Sequence, residues 1–178
     1  MISTERLNVL RTLFQDPHLL LRFHSDWKEG VSIRVDLAQH FLEALEPSSP
    51  PLTTTGKLSL SHSAHGGAWI YSETAMGIGV DLESQNRLKP ETIERISSAS
   101  ERDSAPNLSY IWTGKEAVFK SLYPDNQNTV LSHITLADWQ SRSLDLWTFH
   151  AFLHGKPLNG LGCAFDFDKI SFSCFIRR

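Results

Sequence analysis

The sequence has little of what marks several large classes of protein. Its formal net charge is only −3 over 178 residues, so neither sign of charge dominates. Such a chain has no general attraction to nucleic acid or to an anionic membrane, and any anion site must be a local cluster. Its longer apolar stretches, such as residues 144–153, are interrupted by polar side chains and fall short of the ~20 residues that cross a bilayer. We therefore expect a protein that binds neither nucleic acid nor membrane.

Cysteine is scarce, and no targeting segment is visible. Cys163 and Cys174 both fall in strand-like segments near the C-terminus. We expect them to be small buried residues in a reducing compartment rather than a disulfide or a metal site. The start, Met1–Arg6, has no basic region followed by an apolar core. This pattern predicts no secretory signal and a cytoplasmic protein.

What is present is the ordinary mixture of a globular protein, with 40% apolar and 21% charged residues. In the first half, apolar residues at helical spacing predict helices over residues 4–14 and 32–46. The proline-rich segment 47–51 cannot continue the second helix. Short apolar runs between glycine-containing turns then predict strands at residues 57–61, 68–73 and 78–82.

The second half has a similar order, with predicted helices over residues 90–98 and 108–122. Predicted strands follow at residues 132–137, 144–153, 160–167 and 170–176. The repeated order of helix and strands predicts an α+β fold with two αβββ-like lobes about a pseudo-twofold axis. The expected division is an N-terminal lobe of about residues 1–88 and a C-terminal lobe of about residues 89–178. The active site is expected in the cleft between them.

Two groups of charged residues carry the candidate chemistry. Asp81 and Glu83 end an apolar strand on the same face, and the flanking Gly77 and Gly79 leave room for close approach by backbone or ligand. Taken alone, such an acid pair is more often two solvated carboxylates than a functional site.

Glu116 and Lys120 lie four apart on the predicted helix 108–122, and so share one side of it. In isolation they could be an exposed ion pair. Together with the acids of the strand, they provide three carboxylates that can hold Mg2+ and a lysine that can neutralise the charge of a phosphate.

Several segments resemble a known enzyme family. Ile78–Glu83 and Trp112–Lys120 resemble the two signatures of 4'-phosphopantetheinyl transferases, in the same order. Leu58–Ser63, with its Ser-His-Ser, resembles the strand that precedes the acidic signature in the surfactin-synthetase-activating subfamily. Arg95–Arg102 resembles that subfamily's segment ending in Ser-x-Glu. The resemblance covers roughly residues 57–123.

The resemblance implies an activity. Members of the family transfer the phosphopantetheine arm of coenzyme A to a serine of an acyl or peptidyl carrier protein, and release adenosine 3',5'-bisphosphate. By the same resemblance, Asp81, Glu83 and Glu116 bind Mg2+ against the pyrophosphate of coenzyme A, and Lys120 contacts a phosphate. Glu116 or a metal-bound water takes the proton from the incoming serine. The acceptor could belong to fatty-acid, polyketide or peptide synthesis.

The remaining contacts to coenzyme A are less well matched. Ser61 and His62 are implied to help hold the phosphate end. For the 3'-phosphate, Arg34 is the best candidate, with Arg22 and Lys28 behind it. The Gly-Lys-Pro that contributes to the adenine pocket of many relatives is not found at its usual place. A Gly-Lys-Pro at residues 155–157 is predicted to form a hairpin turn instead.

Three functional readings follow from these residues. The resemblance is to the two-lobed subfamily and implies a monomer, a pseudo-dimer, with holo-acyl-carrier-protein synthase activity. A metal-dependent nuclease also uses a strand-borne acid pair and a lysine, but it leaves the helix motif unexplained and gains nothing from the net negative charge. An inactive carrier-binding module is the third reading, and the presence of all three carboxylates argues against it.

Overall fold

The computed structural model describes residues 3–25, 56–123 and 128–178. Its helices are α1 (Thr4–Leu13), α2 (Pro90–Ile96), α3 (Ala99–Ser104) and α4 (Leu108–Ser121). Its strands are β1 (Leu20–His24), β2 (Lys57–Ser63), β3 (Gly66–Ser72), β4 (Gly77–Ser84), β5 (Ile134–Ser141), β6 (Trp147–Leu153), β7 (Lys156–Pro157), β8 (Gly160–Phe167) and β9 (Ile170–Arg177). Short 3-10 turns occupy Gln85–Arg87 and Leu131–His133.

The strands form two antiparallel sheets. The smaller sheet has the order β1-β3-β2, and the larger has the order β4-β9-β8-β6-β5, with the short β7 paired to β6. Strand β4 is an edge strand of the larger sheet. It pairs with β9 along its whole length, from Gly77 opposite Arg177 to Ser84 opposite Ile170. The strand that carries the acid pair therefore belongs to the larger sheet.

The larger sheet is the middle layer of the molecule, because both of its faces are covered. Alternate residues of β9 point to opposite faces. Ile170 and Cys174 join a core shared with α1 and the smaller sheet, whereas Phe175 joins a second core against α4. On this second face Ser171 and Ser173 hydrogen-bond to hydroxyl groups of α4. The helix thus packs on the side of the sheet toward which Asp81 and Glu83 point.

The helix starts are set by local capping. Ser3 accepts a hydrogen bond from the Arg6 amide at the start of α1. Ser98 and Glu101 form a reciprocal capping box at α3, and Asn107 caps α4. Each cap satisfies backbone donors that have no partner within the helix.

The α+β class is confirmed, and most predicted strands lie within a few residues of their positions. The predicted helix 90–98 is α2, which ends at Ile96, whereas strand β1 and helix α3 were not predicted. The strand predicted over 144–153 begins only at Trp147, because Leu144 (φ 61°) and Asp145 (φ 55°) form a tight turn. The predicted helix 32–46 lies outside the described residues, and the pseudo-twofold axis and the division near residue 88 stay predictions.

Two further expectations concern the cysteines and the membrane. Cys163 and Cys174 are buried and unbridged, as predicted, and their sulfur atoms lie 3.3 Å apart across β8 and β9. None of the helices in the described part of the chain has the length and apolar character needed to span a bilayer.

Candidate active site

Helix α4 lies unusually close to strand β4, and two glycines make this possible. A Cβ atom on Gly79 would lie 1.8 Å from the carbonyl oxygen of Ala117, and one on Gly77 would lie 2.2 Å from that of Ser121. No side chain fits at such distances, so the backbone of the helix occupies the space above both glycines. The close approach predicted at these glycines is therefore the approach of α4 to β4, and it brings Lys120 to the edge of the sheet.

Asp81 is the centre of the polar cluster that results. Its Oδ1 atom accepts a hydrogen bond from the Ser61 hydroxyl at 2.7 Å and lies 2.8 Å from Lys120 Nζ. The same ammonium group donates to the carbonyl oxygen of Val80 at 3.1 Å. Asp81 is only 7% exposed, so this ion pair is shielded from solvent on the carboxylate side. The structure thus joins three segments that are far apart in the sequence.

Strand β2 reaches this cluster through one face only. Ser59 and Ser61 are buried on this face, and the Ser59 hydroxyl accepts a hydrogen bond from the Val80 amide at 3.0 Å. His62 is exposed, because the neighbouring residue in a strand points to the opposite face. Ser61 and His62, which were expected to hold a phosphate together, are therefore on opposite sides of β2.

Glu116, which is on α4, lies near Asp81 of β4 and is partly buried. Burial, followed by the negative charge of Asp81, raises the pKa of Glu116, and Lys120 partly offsets this rise. Burial also raises the pKa of Asp81, against the opposing effects of Lys120 and Ser61. The two carboxylates are thus close enough to repel each other, and one lysine does not compensate fully for their desolvation.

The third predicted ligand, Glu83, is engaged elsewhere. Its Oε1 atom accepts a hydrogen bond from the Ser84 amide at 2.8 Å and lies 4.0 Å from Arg87 Nη1. Across the described ranges 3–25, 56–123 and 128–178, no three His, Cys, Asp or Glu side chains are grouped to hold a metal ion. The donors nevertheless fit a hard cation such as Mg2+, since Asp81 and Glu116 are repelling carboxylates that a cation between them would stabilise.

Several predicted contacts to coenzyme A are not tested by the structure. Arg34 and Lys28 lie outside the described residues. Arg22 lies on β1, opposite Trp69 of β3. The Gly-Lys-Pro at 155–157 begins in a tight turn at His154 and Gly155, with φ angles of 50° and 75°, and its last two residues form β7. The predicted hairpin turn is confirmed there.

A buried ion pair between Lys115 and Glu101 stabilises the position of α4 and was not predicted. Lys115 is fully buried, and its Nζ atom lies 3.0 Å from Glu101 Oε1 and donates to the carbonyl oxygens of Ile96 and Ile134, both at 2.5 Å. Glu101 also accepts a hydrogen bond from the Leu136 amide. The pair joins α2, α3, α4 and β5, so it fixes the helix that carries Glu116. The sequence signals for it were the capping-box spacing of Ser98 and Glu101 and the resemblance of Arg95–Arg102 and Trp112–Lys120 to segments of the family, and neither showed that Lys115 and Glu101 pair.

The raised pKa of Glu116 predicts a pH-dependent effect on stability. A carboxyl whose pKa rises on folding binds protons more tightly in the folded state, so its contribution to the free energy of unfolding falls as the pH increases through the folded pKa. Without metal, Glu116→Gln is therefore expected to melt above the wild type at pH 7. The difference should vanish below about pH 4, where the wild-type carboxyl is protonated. Calorimetric melting curves across this range measure it, with Glu94→Gln on the exposed side of α2 as control. A lower melting temperature of Glu116→Gln at pH 7 would contradict the assignment.

The fold and the site together define a class: an α+β protein in which an acidic strand and a helix with Glu116 and Lys120 converge on one polar cluster. Comparison with known proteins agrees with this class. The family model described as the 4'-phosphopantetheinyl transferase superfamily matches residues 77–165, half of the chain, from the start of β4 into β8. A search of curated proteins gives no match. The chain belongs to the 4'-phosphopantetheinyl transferase superfamily. Phosphopantetheine transfer is the activity of this family, with coenzyme A as donor and carrier proteins as acceptors.

Proposed function

We propose that the protein transfers the 4'-phosphopantetheine arm of coenzyme A to a serine of an apo acyl or peptidyl carrier protein, as a Mg2+-dependent holo-acyl-carrier-protein synthase. The observation that supports this most is the convergence of Asp81, Glu116 and Lys120. Lys120 is 2.8 Å from Asp81, and the charge of Asp81 acts on Glu116. All three residues lie in the segment that matches the family, 77–165.

Each residue has a role in the proposed reaction. Asp81 and Glu116 would hold the cation, with Glu83 as the third carboxylate after release from its present contacts. Mg2+, when bound, would supply charge that stabilises the pyrophosphate as its phosphorus–oxygen bond breaks. The ammonium of Lys120, a point charge on a flexible stem, would neutralise a phosphate oxygen. His62 and Arg34 stay proposed phosphate contacts.

In the proposed reaction one bond forms and one bond breaks. The hydroxyl oxygen of the carrier serine attacks the phosphorus next to the pantetheine arm. The bond from this phosphorus to the bridging oxygen breaks, and adenosine 3',5'-bisphosphate leaves with the electron pair. The proton of the serine hydroxyl must pass to a base, and Glu116 is the proposed acceptor, because it is the carboxylate of the cluster that lies on α4 and is only partly buried.

Mass spectrometry of a carrier panel tests this proposal. Incubation of purified protein with Mg2+, coenzyme A and several apo acyl and peptidyl carriers is expected to add one phosphopantetheine mass to at least one carrier, at its serine. Omission of coenzyme A, or chelation of Mg2+, should prevent the increase. Absence of the increase on every carrier would contradict the transferase, and metal-dependent nicking of plasmid DNA would favour the nuclease instead.

A further inference from the structure

We propose that Ser61 is a positioning residue that holds the Asp81 carboxylate in place for a divalent cation. The proposal rests on the function proposed above, because it assumes that Asp81 is a metal ligand. It departs from the family-based expectation that Ser61 helps to hold a phosphate. The observation behind it is the 2.7 Å hydrogen bond from Ser61 Oγ to Asp81 Oδ1, made where both residues are buried.

The hydroxyl of Ser61 is committed to Asp81. A serine carries one hydroxyl proton, and here this proton is donated to the Asp81 carboxylate. Hydrogen bonds to an ionised acceptor are shorter and stronger than those between neutral groups. A phosphate on the outer face of β2, where His62 is exposed, lies on the opposite side of the strand from this hydroxyl. The side chain of Ser61 therefore serves the carboxylate rather than that face.

Ser61 is the more rigid of the two side chains that contact the Asp81 carboxylate, which also accepts a hydrogen bond from the Leu82 backbone. Strand β2 is hydrogen-bonded along its length to β3, where Ser61 is opposite Ala68. It is also tied to β4 by the hydrogen bond between Ser59 Oγ and the Val80 amide. A hydroxyl on a strand fixed at two sides keeps its position, and such fixed outer contacts are what orient the ligands of a metal.

Lys120 is the partner that can move away from Asp81, so the carboxylate needs a second contact that stays in place. The lysine side chain is 29% exposed and has a flexible stem, so its ammonium can leave Asp81 for a phosphate when coenzyme A binds. Both partners contact Oδ1. Once the lysine moves, Ser61 still holds this oxygen and keeps the carboxylate in its rotamer, while Oδ2 lies outside both contacts. The serine thus allows the lysine to change partners without loss of the metal ligand.

The test measures metal binding directly, in the absence of coenzyme A and carrier. Mn2+ takes the same hard oxygen ligands as Mg2+, and its free form is quantified by electron paramagnetic resonance. Ser61→Ala is expected to weaken Mn2+ binding by about 10- to 100-fold. Ser61→Thr, which keeps the hydroxyl, should recover most of the affinity. Ser63→Ala is the matched control, since Ser63 is buried on the same face of β2 but donates to Gly66 O at 3.5 Å.

Turnover at varied Mg2+ adds a second measurement. A positioning role predicts that Ser61→Ala raises the half-saturating Mg2+ concentration by about the same factor as it weakens Mn2+ binding, while kcat at saturating Mg2+ is largely retained. A merely structural serine would instead lower the melting temperature and kcat without a change in metal affinity. Melting curves of each variant show whether it is folded.

Failure of this inference can be told apart from failure of the proposed function. If Ser61→Ala binds Mn2+ as the wild type does, or if Ser63→Ala loses as much affinity, the inference is wrong even when carriers are modified. The same holds if Asp81→Asn leaves Mn2+ binding unchanged, or if the wild type binds none. If Asp81→Asn and Ser61→Ala both weaken binding but no carrier is modified, the inference stands and the transferase does not.

Discussion

Replacement of Glu116 by glutamine is expected to reduce carrier modification by at least about 100- to 1,000-fold, the loss typical when one group that stabilises developing charge is removed. Glutamine keeps the size of the side chain, so helix α4 should remain packed against β4. It cannot carry the negative charge that both proposed roles use, because a neutral amide is a weaker ligand of Mg2+ than a carboxylate and cannot accept the serine proton. The measurement is the rate of phosphopantetheine addition to the best carrier, with Glu94→Gln on α2 as control.

The same variant separates the two roles of Glu116. If it acts mainly as a metal ligand, Glu116→Gln should raise the Mg2+ concentration at half-maximal rate, and high Mg2+ should restore part of the activity. If it acts mainly as the base, the half-saturating Mg2+ should change little and kcat alone should fall. Turnover within a few-fold of the wild type would show that Glu116 is neither, and the site assignment would then be wrong.

Replacement of Gly79 by alanine is expected to be among the most destabilising changes in the protein. The new Cβ would lie 1.8 Å from the Ala117 carbonyl oxygen, a contact with helix backbone that no side-chain rotation can relieve. Overpacking usually costs about 1–3 kcal/mol, and here helix and strand must move apart, so we expect about 4 kcal/mol or more. In a chain of this size the melting temperature should fall by about 10 °C. Thermal melting of the purified variant measures this.

Gly155→Ala is a suitable comparison for Gly79→Ala. Nothing lies within 4 Å of its Cβ position, but its φ is +75°, which an alanine adopts with strain. It should therefore cost only about 1–2 kcal/mol and leave transfer unaffected. Gly79→Ala should also reduce turnover of the folded fraction, because α4 would carry Lys120 away from Asp81. A melting temperature of Gly79→Ala within about 2 °C of the wild type would contradict the close packing.

Local patterns in the sequence were enough to predict the class of fold and the main elements near the site. Strand alternation in β9 and helical spacing in α4 report which side chains are buried, and these depend on neighbours only a few residues away. The two motifs, Ile78–Glu83 and Trp112–Lys120, were enough to predict the family. They also indicated the candidate carboxylates and the candidate lysine, but not the contacts between these groups.

The unpredicted features depend on contacts between distant segments. The hydrogen bond from Ser61 to Asp81 requires β2 to lie along the open edge of β4, and nothing in either segment indicates this arrangement. Lys115 is next to Glu116 in the sequence, yet it points away from the site toward Glu101 because successive helical residues are rotated by about 100°. Charge alone did not distinguish a buried structural lysine from one that faces the site, Lys120.

The position of β4 at the edge of its sheet has a consequence for solubility. An edge strand offers unpaired amide and carbonyl groups to strands of other molecules, and native proteins must cover them. Here the outward amide of Val80 is taken by the Ser59 hydroxyl and its carbonyl by the Lys120 ammonium. The lysine proposed to bind a phosphate thus also blocks one point at which a second chain could add to the sheet. A change at Lys120 would therefore leave the Val80 carbonyl without this hydrogen bond, in addition to removing the proposed phosphate contact.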